Sequence, residues 1–132
     1  MDKEIETDAG LDVTAEDAAG QSMLREFFLG FIKIHILHHA TRESVYGLQL
    51  IEELGRHGYH LSPGKLYPVL HELERSGYLV REERLVAGRV RKYYWATPRG
   101  AQVLSAARAR IAELVTEVLQ GQSPQLHSPV ED

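Results

Sequence analysis

The stretch LSPGKLYPVLHELERSGYL, Leu61 to Leu79, constrains the fold more than any other part of the chain. It marks both ends of one helix. Ser62 suits the N-cap, Pro63 suits the first helical position, and Gly77 suits the stop. Between them Leu66, Val69, Leu70 and Leu73 fall at helical spacing and give one apolar face. Pro68 breaks the pattern. Its missing N–H removes a bond to the Gly64 carbonyl, and its ring crowds that carbonyl, a loss of roughly 3 kcal/mol in an ordinary helix interior. Gly64 has no side chain to add to the crowding and lies near the helix start. A fixed φ at Pro68 stiffens the segment that presents Lys65 and Tyr67.

Four helical segments and one hairpin are expected in all. The first helix runs from about Ser22 to Ala40, with Leu24, Phe27, Phe28, Phe31, Ile34 and Leu37 or His38 as a wide apolar stripe. The second runs from Ser44, as cap, to His57, with Leu48, Ile51 and Leu54 inward. The Leu61–Leu79 helix is the third. YLVREERLV, a turn at Gly88 and VRKYYWAT then read as a hairpin, which must lean on the helices. Thr97 caps a last helix with Pro98 at its first position, ending at Gly121. Its seam of Leu104, Ala107, Ile111, Leu114 and Val118 has coiled-coil-like spacing, too long for this small chain to cover.

The domain reading follows: an acidic tail at residues 1–20, a helical and hairpin unit at 21–97, a long helix at 98–120, and a polar tail at 121–132. A net charge of −4 hides a segregation. Residues 1–20 hold seven acids against one lysine, whereas residues 56–99 hold nine Lys or Arg against four Glu. The bulk value alone argues against nucleic acid; the distribution points to a basic working surface. The chain has no cysteine, so disulfides and thiolate metal sites are excluded. No long apolar run and no basic-then-apolar start is present, and a cytoplasmic location is expected.

Three compact helices followed by a hairpin describe a winged helix-turn-helix, mainly α with a small β-hairpin, here with a C-terminal dimerisation helix. In such motifs the second helix enters the major groove with its N-terminal residues on the bases. Ser62, Gly64, Lys65, Tyr67 and His71 are the expected DNA-facing positions on that helix. The N–H groups after Pro63 suit a phosphate. Arg84, Arg89, Arg91 and Lys92 surround the hairpin tip, with Arg89 and Arg91 on one strand face and Lys92 on the other. These give affinity and salt dependence more than sequence choice.

The motifs YGLQLIEEL, SPGKLYPVLHELE and RKYYWATPRG together resemble the PadR family of winged-helix transcriptional regulators, from about Leu24 to Leu119. The short C-terminal region is similar to the branch with the smaller dimerisation element. The resemblance implies a homodimer in which the last helix packs against the partner's first helix. It places Phe28 and Phe31 with Leu104, Ala107, Ile111, Leu114 and Val118 at that interface. It also implies repression at a palindromic operator, released by an effector, a small molecule or an ion, near the interface. The acidic first 20 residues depart from the family's usual short start.

Several residues carry a plainer reading beside the functional one. Tyr46 packs at the start of the second helix, where Gly47 permits close approach. At least one ring among Tyr93, Tyr94 and Trp95 belongs to the core, and Trp95 is read there. His35, His38 and His39 have a spacing that can share a metal, but no Cys or nearby acid completes the set, and packing or solvation is preferred. His57 and His60 are read as polar surface or phosphate contacts. Enzyme chemistry finds no support: there is no Gly-rich phosphate loop and no nucleophile motif. A winged-helix protein-interaction module is the rival, and the basic hairpin argues against it.

Overall fold

The computed structural model describes residues 17–121. The expected tails at 1–20 and 121–132 lie outside the described residues except for 17–20 and Gly121. Helix α1 is Ala18–Arg42, so it starts earlier than Ser22. Asp17 explains this, since its carboxylate accepts from the Gly20 N–H at 2.9 Å and caps the helix. There follow β1 (Val45–Tyr46), α2 (Gly47–Arg56), α3 (Pro63–Arg75), β2 (Leu79–Val86), β3 (Arg89–Ala96) and α4 (Pro98–Leu114). A π-helical turn, Val115–Leu119, extends α4, and Gly121 takes φ +68 just beyond it. The mainly helical winged-helix fold is as expected.

The strand β1 corrects the reading of the second helix. Val45 pairs with Tyr94 and Tyr46 with Tyr93, so the sheet has three antiparallel strands in the order β1-β3-β2. Drawing Val45 and Tyr46 into the sheet delays the helix to Gly47, and Tyr46 rather than Ser44 becomes its N-cap residue. The inward face shifts with it. Leu50 and Leu54 are buried, four apart, whereas Leu48 is 59% exposed.

One core holds the helices and sheet together. Leu66, Val69, Leu70 and Leu73 of α3 are all buried, as their spacing requires. They meet Ile32, Ile36 and Ala40 of α1, Leu50 and Leu54 of α2, and Tyr94 of β3. Each fully buried Leu or Ile contributes roughly 1.5–3 kcal/mol. Tyr94 is the core ring of its aromatic run, while Trp95 is only half-buried, contrary to the core reading. On α1 the buried set is Ile32, Ile36, Leu37 and Ala40, in its C-terminal half. Of the expected stripe, Phe27 is 45% exposed and Leu24, Phe28 and Phe31 are half-buried.

Thr97 joins the hairpin to α4. Its hydroxyl donates to the Gly77 carbonyl at 2.6 Å and accepts from the Gly100 N–H at 3.0 Å. Gly100 packs against the Tyr78 carbonyl, where a β-carbon would overlap the oxygen. The end of α3 and the start of α4 are thereby fixed to one another. Pro68 is exposed and α3 runs through it without a break, with Gly64 also exposed.

Candidate nucleic-acid interface

The expected DNA-facing residues come from two elements, α3 and the β2–β3 hairpin. Ser62 is the N-cap residue of α3 by position, yet its side chain makes no capping bond. Its backbone carbonyl instead accepts from the Lys65 and Leu66 N–H groups, at 3.0 and 2.9 Å. Ser62 and Gly64 are exposed, and Lys65, Tyr67 and His71 are half-buried. A cleft of about 570 Å³ separates α3 from the hairpin. Tyr67 and His71 line one wall, and Arg89, Arg91 and Lys92 line the other. Gly47 and Leu48 of α2 form its end. Lys65, Ser62 and Gly64 stand outside this cleft on the open start of α3.

Tyr67 is both a wall of the cleft and a packing residue. Its ring lies against the core, and its hydroxyl sits over Gly47. The close approach expected at Gly47 is therefore to Tyr67. The Tyr67 and His71 rings are 6.3 Å apart and present one aromatic edge to the cleft.

Two of the hairpin cations, Arg84 and Arg91, are held by aromatic rings. The register pairs Arg84 with Arg91 and Glu83 with Lys92. Opposed residues share a face, so Arg84, Arg91, Tyr93 and Tyr46 line one side and Lys92 the other. The Arg91 guanidinium lies 4.1 Å from the Tyr46 ring centre and 3.5 Å from the Tyr93 hydroxyl. Arg84 lies 4.3 Å from the Tyr93 ring centre and also pairs with Glu82 at 3.3 Å. The Tyr93 hydrogen bond raises the Arg91 pKa further, so the group stays charged. Stacking of this kind holds the long side chain over a ring face. Tyr46 was missed as part of this arrangement because its link to Arg91 runs through the β1–β3 pairing, which local sequence does not display.

The three histidines of α1 do not converge. His35 Nδ1 pairs with the Phe31 carbonyl at 3.0 Å. His38 Nδ1 accepts from Arg108 of α4 at 3.4 Å. His39 Nε2 lies 3.4 Å from Glu53 of α2, which also takes His57 at 3.1 Å and Arg56. The fold thus supplies an acid beside His39 that local sequence did not suggest. Hydrogen bonds from Arg56 and then His57 hold the Glu53 carboxyl below its usual range. Among the described residues no group of three or more His, Cys, Asp or Glu is placed to hold a metal.

On the seam of α4, Leu104 is buried and Ala107 and Ile111 are half-buried. Leu114 and Val118 are 44% and 66% exposed. Met23 and Phe27 at the start of α1 are 64% and 45% exposed. Among the described residues no helix is long and apolar enough to cross a membrane.

Residues 36–106, which span α3 and the whole hairpin, match the model of the Transcriptional regulator PadR-like family. The chain is 52% identical over 100 residues to Transcriptional regulator Rv3488 of Mycobacterium tuberculosis, covering 76% of this chain and 94% of that one. It is similar in structure to a PadR family transcriptional regulator from Eggerthella lenta, with a TM-score of 0.67 and 30% identity. That match covers 86% of this chain and all of the other. A PadR-like transcription factor from Bacteroides fragilis gives a TM-score of 0.66 at 26% identity, over 75% of this chain and 97% of that one. With the winged helix, the aromatic-held cations and these relatives in agreement, the chain belongs to the PadR-like family of transcriptional regulators.

Proposed function

We propose that this chain is a homodimeric repressor that binds a palindromic operator and is released by an effector. The observation that carries the reading is the cleft in which Tyr67 and His71 of α3 face Arg89, Arg91 and Lys92 of the hairpin. Lys65, Tyr67 and His71 read base edges in the major groove, with Ser62 and Gly64 close to the backbone. Arg84, Arg89, Arg91 and Lys92 neutralise flanking phosphates. The partner copy covers the exposed side of α4, so that Ile111, Leu114 and Val118 meet the partner's Phe28 and Phe31. Apolar residues left in water at Leu114, Val118 and Phe27 support this. The effector, a small molecule or an ion, binds near that interface, and the protein works in the cytoplasm.

Footprinting on the DNA upstream of the chain's own gene tests the reading. Two protected half-sites are expected, with centres about 34 Å apart or a multiple of that. Absence of any protected site, with capture of a protein partner through the same face, would favour an interaction module instead.

A further inference from the structure

The hairpin has its last core residue at Tyr94, opposite Arg81. Five register pairs lie beyond, from Glu82 with Tyr93 to Val86 with Arg89. At about 3.3 Å per residue the ribbon projects roughly 16 Å past the core. Its end is narrow. Ala87 and Gly88, at φ 52 and 80, close it in a two-residue left-handed turn.

The two faces of this projection differ. Arg84 and Arg91 occupy one face. On the other, Glu83 and Lys92 come first, and then Leu85 stands opposite Val90. Leu85 is 74% exposed and Val90 64%. Two opposed apolar side chains thus stand mostly in water at the far end of a ribbon that carries Arg84, Arg89, Arg91 and Lys92 beside Glu83, with Val90 also at the mouth of the cleft against α3. A second copy is a poor occupant, because tip-to-tip contact would also bring Arg84, Arg89 and Arg91 against their counterparts. A polyanion with apolar surface between its charges fits both features. The minor groove of duplex DNA has phosphates along its edges and sugar and base edges inside.

We propose that Leu85 and Val90 form an apolar wedge that enters the minor groove beside the major groove occupied by α3, unstacks a base step and bends the duplex. This rests on the DNA-binding reading above and adds deformation to it. Apolar side chains inserted in this way kink a duplex by about 20–90°. Specificity then includes the flexibility of a step that no hydrogen bond reads.

The test uses the full chain and the footprinted duplex. End-to-end fluorescence transfer reports bending, and 2-aminopurine placed at steps flanking the half-sites reports unstacking. The wild type is expected to change both signals. Leu85→Ser with Val90→Ser is expected to abolish both and to weaken binding about tenfold at an unchanged salt slope. Arg89→Ala is expected to lower the slope by about one and keep the bend. Wild-type binding with neither signal overturns the wedge while leaving DNA binding intact. An unchanged bend in the double variant also overturns it, as does a loss of dimer in sedimentation. Failure of the wild type to bind any duplex overturns both readings. The wild-type signals decide the point even if the double variant melts early.

Discussion

The Tyr67 hydroxyl lies directly over the α-carbon of Gly47, and a β-carbon there would overlap the hydroxyl and come within 2.6 Å of Cζ. This contact fixes the start of α2 against the cleft wall of α3. Gly47→Ala is expected to destabilise the fold by about 1–3 kcal/mol, the usual consequence of overpacking. In a Tyr67→Ala background the same substitution should cost much less. A double-mutant cycle by urea denaturation measures the coupling. Equal losses in both backgrounds would mean that the two residues do not share this contact.

Ala87 adopts φ 52 without the freedom of glycine. A left-handed alanine is strained by roughly 1–2 kcal/mol, and Asn before Gly is the favoured pair in such a turn. Ala87→Asn should therefore raise the melting temperature by a few degrees. A lowered value would show that the turn is held in another conformation.

His38 sits where α1 meets α4, accepting from Arg108. Burial first, then His39, Arg42, Arg108 and His35, hold its pKa below the ordinary 6.5. The unfolded chain therefore takes up this proton before the folded one does. The stability is fully present above 6.5 and declines as pH falls through 6.5 toward the lower folded value. Thermal melts between about pH 7.5 and 5.5 should show a smaller decline in His38→Gln than in the wild type. Glu53 acts in a separate window, because its depressed pKa lets it titrate only below 4.5.

The exposed side of α4 predicts a dimer. Ile111→Glu with Leu114→Glu should yield a monomer in sedimentation velocity while leaving the helical circular dichroism near that of the wild type. An intact dimer would remove α4 from the interface.

Much of this was legible in the sequence where the code is local. The helix start at Ser62, the cap at Thr97, the apolar face of α3 and the hairpin turn at Gly88 all follow from spacing over a few residues, although Ser62 holds its position without a side-chain capping bond. Long-range pairing was not legible. Val45 and Tyr46 are too few to show a strand period, and their partners lie almost fifty residues away. That one omission moved the start of α2 and the inward face of Leu48, and it hid Tyr46 as the shelf under Arg91. The α1 stripe was misplaced for a different reason. The helix is apolar nearly all round, so periodicity could not say which side meets this chain.

Tyr67 and Arg91 separate the two halves of the interface. Tyr67→Ala should change which sequences are preferred. Arg91→Ala should weaken all sequences alike and lower the salt slope by about one. Unchanged operator binding in both would move the interface elsewhere.

The most direct test is titration of the upstream duplex and of a scrambled duplex across a range of salt. If Arg84, Arg89, Arg91 and Lys92 each neutralise one phosphate, log K should fall against log salt with a slope of roughly −3.6 per subunit. The upstream duplex should bind tighter at every concentration. A flat slope, or equal affinity for the scrambled duplex, would contradict the assignment of a sequence-specific DNA-binding regulator.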